Sequence, residues 1–272
     1  MSSSSRPDRG PRRAAAPAGR GPVGGARRHP GRGVAAPPNT GPQPDQQWRS
    51  LVDPSALTGS PLPVPPALRE QAGAAFGDRL PLAERYAGYL AADGVSRGLL
   101  GPREGERVWE RHLLNCAGLA PLVEPGAAVV DVGSGAGLPG LVLALARPDV
   151  TVSLLEPLQR RVVFLAEVVQ ALRLDAVEVL RGRAEQAAGW VRADVVTARA
   201  VAPLDRLAAW CLPLLRPGGR VLTLRGAAVA EELVTHKATL DRLGVLPERP
   251  VHTRAGAPGE PDTVILEFRR RG

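Results

Sequence analysis

The sequence predicts an α/β protein whose core is a doubly wound, mostly parallel β-sheet preceded by helices. From residue 127 onward, short apolar runs alternate with segments that have helical periodicity. Glycine, proline or polar residues bound the short runs, which is typical of buried strands. Because strands that alternate with helices need crossover connections, we expect helices on both faces of the sheet.

The first part of the folded domain is predicted to be helical. We expect order to begin near Pro66, and the predicted helices cover residues 67–76, 80–92 and 105–122. Residues 97–103 should interrupt this layer, because Gly98, Gly101 and Pro102 disfavour a helix.

The core elements follow in alternation. Strands are predicted over residues 127–131, 151–156, 177–180, 194–197 and 220–224, with closing strands over 245–252 and 263–268. Helices are predicted over residues 138–146, 159–173, 203–214 and 228–243. The longest of them has Val162, Leu165, Ala166 and Val169 on one face, at the spacing of a helix that packs on a sheet.

Two regions differ in composition. Residues 1–66 contain nine arginines and three aspartates, a net charge of +6 out of +8 for the whole chain. This Pro/Gly/Arg-rich segment has too few apolar residues to offset chain entropy, so it is predicted to be a disordered basic tail. Its arginines could contact RNA phosphates, or it could be inert. Residues 67–272 are predicted to form one domain, with helices over 67–122 and the α/β core over 123–272.

Composition also excludes some protein classes. The sequence has no uncharged apolar run of about 18 residues, so we expect no membrane span, and its start does not resemble a secretory signal. Cys116 and Cys211 suggest neither a disulfide framework nor a metal site, and we expect them to be small buried residues. These features favour a cytoplasmic protein that does not act at a membrane, and we expect a monomer.

A glycine-rich run, DVGSGAGLPG, covers residues 131–140 between the first core strand and the next helix. Gly133, Gly135 and Gly137 allow a tight turn and a close approach to a ligand, and the helix start offers free N–H groups. Glu156, at the end of the second strand, could accept hydrogen bonds from both hydroxyls of a ribose. The pattern predicts a nucleoside-containing cofactor.

Two kinds of cofactor fit these glycines. Gly135, Gly137 and Gly140 also match the dinucleotide pattern G-x-G-x-x-G, so an NAD(P)-binding protein stays an alternative. Asp131 would repel a pyrophosphate but suits a cationic ligand. The run LRPGGRVL at residues 215–222 resembles the turn into the fifth strand of class I methyltransferases. Both features favour S-adenosyl-L-methionine.

Several motifs between about Glu110 and Leu233 carry a resemblance to a known family. They are RHLLNC at residues 111–116, DVGSGAGLPG at 131–140, RVVFL at 161–165, RAE at 183–185 and TARA at 197–200. With them the chain resembles the ribosomal RNA small subunit methyltransferase G family, also called glucose-inhibited division protein B, in an actinobacterial-like form. The resemblance implies a Rossmann-like class I methyltransferase fold and methylation of N7 of a guanine in 16S rRNA. A small-molecule methyltransferase would share the cofactor features and stays open.

The resemblance also implies roles for individual residues. Cofactor contacts fall on Gly133, Leu138, Glu156, Ala184, Glu185 and Arg199, and the glycine run itself adds Asp131, Gly135 and Gly137. Apart from the resemblance, Arg111, His112 and Arg225 are candidates for contact with 16S rRNA or the small ribosomal subunit. For Arg111 and His112 the alternative of a solvated helix face is favoured. The chain departs from the family pattern at Glu156, where Asp is usual, and at Arg225, where Lys is common.

The expected reaction needs little acid–base chemistry. Guanine N7 has a free lone pair and no proton, so no general base is required, and alignment of the reactants can lower the barrier by about 7–11 kcal/mol. The sequence lacks the Asp/Asn-Pro-Pro-Tyr/Phe run of exocyclic-amine methyltransferases and the Pro-Cys or Thr-Cys loop of carbon-5 enzymes. Arg199 follows the fourth strand and is predicted to be a positioning residue, with a surface salt bridge as the alternative.

Overall fold

The computed structural model describes residues 44–199, 201–226, 228–247, 251–253 and 263–270. The predictions for residues 1–43 therefore lie outside the described residues. Within these ranges, the helices are all too short or too polar to cross a membrane.

A single mixed sheet forms the centre of the described fold. Its eight strands are β1 (Ala128–Val132), β2 (Thr151–Glu156), β3 (Val177–Arg181), β4 (Ala193–Arg199), β5 (Leu215–Arg225), β6 (Val245–Pro247), β7 (Val251–Thr253) and β8 (Thr263–Arg270). The order is β3-β2-β1-β4-β5-β8-β6, with β7 also paired to β8. Strands β1 to β5 are parallel, and β8 runs antiparallel to β5, β6 and β7. The predicted doubly wound, mostly parallel sheet is confirmed.

The strand order places a crevice beside β1. The chain leaves β1 towards β2 on one side and returns to β4 on the other, so the connections diverge at the carboxyl ends of these strands. Open α/β sheets bind their ligands at such switch points. A dinucleotide fold of order 3-2-1-4-5-6 continues with a parallel sixth strand, whereas here antiparallel β8 lies next to β5.

Helices cover both faces of the sheet. They are α1 (Arg69–Phe76), α2 (Leu80–Tyr89), α3 (Asn115–Ala117), α4 (Gly140–Ala146), α5 (Gln159–Leu172), α6 (Ala184–Ala187), α7 (Leu204–Cys211), α8 (Val229–Thr235) and α9 (Lys237–Arg242). Successive strand residues point to opposite faces. Val129 and Leu154 pack under the N-terminal helices with α4 and α5, while Val130 and Leu155 pack under α7 and α9. Two apolar layers thus enclose the sheet.

The helices differ from the predictions mainly in continuity. The predicted helix over residues 105–122 is a 3-10 turn (Gly105–Arg107), a π-helical turn (Val108–Leu114), α3 and a second 3-10 turn (Ala120–Leu122). Pro121 cannot continue a helix because it lacks an N–H group. A second π-helical turn, Leu90–Gly94, ends the α2 segment. The predicted helix over 228–243 is divided at His236.

Residues 44–66 correct the predicted boundary of the tail. Trp48 and Val64 are buried, at 5% and 4% exposure, and the Trp109 indole N–H donates to the Leu62 carbonyl at 3.0 Å. A Cβ on Gly59 would lie 2.3 Å from the Gly88 carbonyl oxygen, so this segment packs backbone against backbone on α2. The few apolar residues of this segment follow neither helical nor strand periodicity, since each packs on a part of the chain that is distant in the sequence. The sequence pattern therefore did not predict their burial.

The buried Asp93 carboxylate anchors this segment. It accepts hydrogen bonds from the Thr58 N–H at 3.0 Å, the Thr58 hydroxyl at 2.9 Å and the Gly59 N–H at 3.0 Å. Asp93 is 3% exposed. Three donors therefore depend on one carboxylate in the π-helical turn after α2.

Replacing Asp93 by alanine should lower the free energy of unfolding by about 1–3 kcal/mol, because three part-buried hydrogen bonds would lose their acceptor. Urea denaturation measures this loss. The control is Asp53→Ala, which removes an exposed carboxylate that bonds to Ser55, two positions away, and should therefore cost less stability than Asp93→Ala. Equal effects of the two substitutions would show that residues 44–66 are not anchored as described.

Candidate active site

A cavity of about 870 Å³ opens at the carboxyl ends of β1, β2, β3 and β4. Its walls are the loop after β1 (residues 132–136), the end of β2 (155–158), the turn after β3 (181–186) and Arg199 at the end of β4. Leu99, Leu100 and His112 close it from the N-terminal helical layer. The volume lies within the usual range for small-molecule and cofactor sites.

The three glycines of the loop after β1 have different structural roles. Gly133, Gly135 and Gly137 have φ angles of 68°, 59° and 99°, a region that side chains disfavour. A Cβ on Gly137 would lie 2.4 Å from Leu141 Cδ1, and one on Gly133 would lie 2.9 Å from Val201 Cγ2. A Cβ on Gly135 would meet no described atom nearer than 3.8 Å. Gly133 and Gly137 therefore permit close packing, whereas Gly135 keeps open space beside the cavity.

Glu156 ties this loop to the end of β2. Its carboxylate accepts the Gly135 N–H at 3.0 Å through one oxygen and the Leu158 N–H at 3.0 Å through the other. Arg161 Nη1 lies 3.6 Å from the first oxygen. Glu156 is 1% exposed and lines the cavity. A carboxylate oxygen can accept more than one hydrogen bond, so Glu156 has acceptor capacity for hydroxyl groups of a ligand.

Asp131 lies behind the cavity wall, in contrast to the contact predicted for it. One carboxyl oxygen accepts the Gly140 N–H at 3.0 Å, and the other is buried with no hydrogen-bond partner among the described residues. Burial raises the pKa of the Asp131 carboxyl to about 7. Asp131 thus orients the start of α4, and its attraction for a cationic ligand is weaker than the sequence suggested. Gly137 also lies outside the lining.

The other predicted cofactor residues do meet at the cavity. Its lining includes Leu138, after the glycines, and Ala184 and Glu185, at the start of α6. Leu138 and Ala184 are each 8% exposed and give an apolar surface. The structure therefore brings together seven predicted cofactor residues: Gly133, Gly135, Leu138, Glu156, Ala184, Glu185 and Arg199.

Arg199 makes its contacts to the N-terminal helical layer. Its Nη2 lies 2.6 Å from His112 Nδ1, and its Nη1 donates to Cys116 Sγ at 3.3 Å. The predicted alternative of a surface salt bridge is therefore wrong. The guanidinium lines the cavity while an imidazole and a thiol hold it from behind.

His112 is buried and neutral. It is 3% exposed, and burial, followed by the charges of Arg199 and Arg111, lowers the pKa of its imidazole to about 3. Its Nε2 lies 2.8 Å from Glu104 Oε2, although the angle is poor for a hydrogen bond. The predicted alternative of a solvated helix face is wrong for His112, whose ring faces Arg199.

The two remaining substrate candidates lie away from this cavity. Arg111 has a side-chain exposure of 47% and an Nε 3.4 Å from Glu104 Oε2. Arg225 donates to the Ala202 carbonyl at 2.9 Å and pairs with Glu232, and its side chain is 7% exposed. It lines a second cavity of about 580 Å³, which shares Val201 with the first.

Other residues at the site were not predicted from the sequence. Asp45 lines the cavity rim, where its carboxylate lies 2.5 Å from Arg181 Nη1. The Tyr86 hydroxyl donates to the Ala136 carbonyl at 2.8 Å and holds the loop from beneath. Leu99 and Leu100 carried a weak signal, as an apolar pair between glycines. Asp45 carried none, because its partner is far away in the sequence.

Comparisons with known proteins show what the chain is similar to. Residues 79–256 match the family model described as rRNA small subunit methyltransferase G. The ribosomal RNA small subunit methyltransferase G of Salinispora tropica (strain ATCC BAA-916 / DSM 44818 / JCM 13857 / NBRC 105044 / CNB-440) is 55% identical over 224 residues, which cover 80% of this chain and 91% of that protein. The protein of the same name from Thermobifida fusca (strain YX) is 59% identical over 167 residues, which cover 61% of this chain and 70% of that protein.

The fold is also similar to that of a solved methyltransferase. The glycopeptide N-methyltransferase MtfA complexed with sinefungin superposes with a TM-score of 0.51 at 15% identity. The match covers 59% of this chain and 87% of the other. At this identity the likeness concerns the fold alone, and it confirms the predicted class I methyltransferase architecture.

Gly135→Val should abolish binding of S-adenosylmethionine while the domain stays folded, because the new side chain would fill the open space beside the cavity. Isothermal titration calorimetry measures the affinity, and circular dichroism checks the fold. Gly218→Val is a matched control. Gly218 also has a positive φ, of 79°, and open space among the described residues, but it lies in β5 outside the cavity. Unchanged affinity in a folded Gly135→Val protein would contradict the loop assignment.

The neutral His112 predicts a dependence of stability on pH. Its folded pKa of about 3 lies below the ordinary 6.5, so the unfolded chain binds a proton that the folded chain excludes. His112 therefore contributes stability above pH 6.5, and this contribution is lost as the pH falls towards 3. The His112→Asn variant should lose less stability between pH 7 and pH 4 in urea denaturation. An imidazole NMR resonance of His112 that titrates near pH 6.5 would contradict this assignment.

Proposed function

Because the chain belongs to the rRNA small subunit methyltransferase G family, we propose that it transfers a methyl group from S-adenosylmethionine to N7 of a guanine in 16S rRNA. The family match covers residues 79–256, which include the whole glycine loop and Arg199. The chain is therefore an S-adenosylmethionine-dependent rRNA methyltransferase. The observation that carries the finer proposal is the cavity in which Gly135, Glu156 and Arg199 meet.

The donor set fits S-adenosylmethionine. Glu156 provides carboxylate oxygens for the ribose hydroxyls, and Gly135 leaves the space that the ligand needs. Leu138 and Ala184 supply apolar surface for an adenine, with Glu185 beside them. When bound, S-adenosylmethionine supplies an electrophilic methyl group on a sulfonium. The residues of this chain must hold that group in line with the acceptor and keep water away.

The groups around the cavity match an acceptor that carries no proton. Burial raises the pKa of the Cys116 and Cys211 thiols, so neither is a ready nucleophile for a covalent mechanism. His112, with a pKa of about 3, is a weak base at neutral pH. Arg199 cannot accept a proton and acts by position. Leu99 and Leu100 cover the cavity with apolar surface. Arg199 can align a base, and neither the two thiols nor His112 is suited to deprotonate one.

The two alternative functions fit less well. An NAD(P)-binding protein is disfavoured by antiparallel β8 beside β5 and by the family match. A small-molecule methyltransferase would share the cofactor residues, but the curated relatives that cover most of this chain are named for ribosomal RNA. We further propose that the protein acts in the cytoplasm as a monomer, on 16S rRNA or on the small ribosomal subunit.

The direct experiment uses tritiated S-adenosylmethionine with small subunits and free 16S rRNA from a strain that lacks this gene. We expect label at one guanine N7, mapped by strand scission at the modified base. The rate in single turnover should be nearly constant between about pH 6.5 and 8.5, since no general base titrates. Label on a small molecule, or an enzyme–RNA adduct through Cys116 or Cys211, would contradict the proposal.

Arg199→Ala should slow this methyl transfer by about 100-fold, the scale expected for a misplaced reacting group. Arg216→Ala is the matched control, because Arg216 pairs with Asp194 on the surface, with a side-chain exposure of 47%, and should leave the rate unchanged. Equal rates for the wild type and Arg199→Ala would show that Arg199 does not contribute to methyl transfer.

A further inference from the structure

We propose that His112 is a positioning residue for methyl transfer, acting through Arg199. The inference deepens the proposed function and rests on it. It is carried by the 2.6 Å contact between His112 Nδ1 and Arg199 Nη2 and by the place of both residues in the cavity wall.

The hydrogen-bonding capacities of the two groups fix the direction of the contact. A guanidinium has only donors, so His112 Nδ1 must be the acceptor and its proton must sit on Nε2. Nε2 faces Glu104 Oε2 at 2.8 Å, and the negative carboxylate favours that tautomer. The neutral ring, whose pKa is about 3, keeps its Nδ1 lone pair available to Arg199 at neutral pH. Glu104 and Arg199 thus lie at opposite edges of one imidazole, and Arg199 makes the hydrogen bond.

Arg199 needs such a contact because its side chain is long. A free arginine has about 2 kcal/mol of rotamer entropy, and this entropy would have to be lost when a substrate binds. His112 and Cys116 hold both Nη atoms. The arginine is therefore oriented by side chains of the protein itself.

The local fold explains how His112 reaches a strand end. The residue lies in the π-helical turn Val108–Leu114, and such turns are frequent at functional sites. Its neighbour Arg111 points to solvent, with a side-chain exposure of 47%, whereas His112 is 3% exposed. Contact of His112 with RNA from outside is disfavoured by this burial. Within the cavity wall its Nδ1 contacts Arg199 Nη2, so its effect on the reaction passes through that side chain.

A double-mutant cycle tests the proposal in single-turnover methylation of small subunits. His112→Leu removes the acceptor, and we expect it to slow methyl transfer by about 100-fold, like Arg199→Ala. In the Arg199→Ala background, His112→Leu should change the rate by less than about twofold, since coupled residues are not additive. Fully multiplicative effects would mean that His112 acts independently of Arg199 and would overturn the proposal.

A rescue experiment distinguishes a positioning role of His112 from a role in stabilising the fold. His112→Asn keeps an oxygen acceptor near the Nδ1 position, and we expect it to recover most of the rate that His112→Leu loses. His236→Leu is the matched control, because His236 faces Asp205 at 3.4 Å on another part of the domain, and it should keep the wild-type rate. If His112→Leu does not fold, His112→Gln replaces it, since its amide reaches the Nε2 position. An Asn variant as slow as the Leu or Gln variant would overturn the proposal.

A readout without catalysis keeps this test independent of the proposed function. The ¹⁵N resonances of the Arg199 guanidinium should show restricted rotation in the wild type and fast rotation in His112→Leu. Restricted rotation in both proteins would overturn the proposal. The wild type could methylate no RNA while the Arg199 guanidinium still rotates faster in His112→Leu. In that case the proposed function fails, but the conclusion that His112 orients Arg199 stands.

Discussion

The hydrogen bond from the Gly135 N–H to Glu156 is the interaction on which the site depends. Parallel pairing of β1 with β2 puts Val132 opposite Leu155, and the Gly133 N–H extends the ladder to the Leu155 carbonyl at 2.8 Å. The chain must then turn away within a few residues, and the Glu156 carboxylate accepts the next free N–H. Asp131 holds the far end of the turn at Gly140. Two buried carboxylates therefore fix the loop, and the shape of the cavity follows from the loop.

The cavity wall opposite the glycine loop depends on contacts between the sheet and the N-terminal helical layer, which are distant in the sequence. Arg199 ends β4, yet its partners His112 and Cys116 come from the N-terminal helical layer. That layer is itself held by residues 44–66, through Asp93 and Trp109. The buried polar groups do not have to raise stability, because removing the charge of Arg199 from water costs free energy unless the geometry compensates. Their effect is to define one arrangement of the arginine relative to the loop.

Sequence reasoning succeeded where the determining contacts are local. The bounds of β2 and the start of α5 were predicted to the residue, because apolar runs and helical periodicity are local patterns. The glycine loop and Glu156 were recognised for the same reason. The predicted surroundings were wrong for two residues. Asp131 contacts the start of α4 and not the cavity, and His112 is buried and not on a solvated helix face. Whether a polar side chain faces a cavity or a helix start is decided by tertiary packing. The packing of residues 44–66 on the helical layer has the same cause.

The chemistry explains why the cavity relies on fixed geometry. Methylation of N7 moves no proton, so a poised acid or base would give no advantage, and the barrier responds mainly to alignment. Burial accordingly shifts the pKa of His112, Cys116 and Asp131 in the direction that favours each neutral form. Arg199 presents its guanidinium to the cavity, and the His112 and Cys116 side chains hold this cation from behind. The orientation of that cation is then the quantity that the surrounding fold must control.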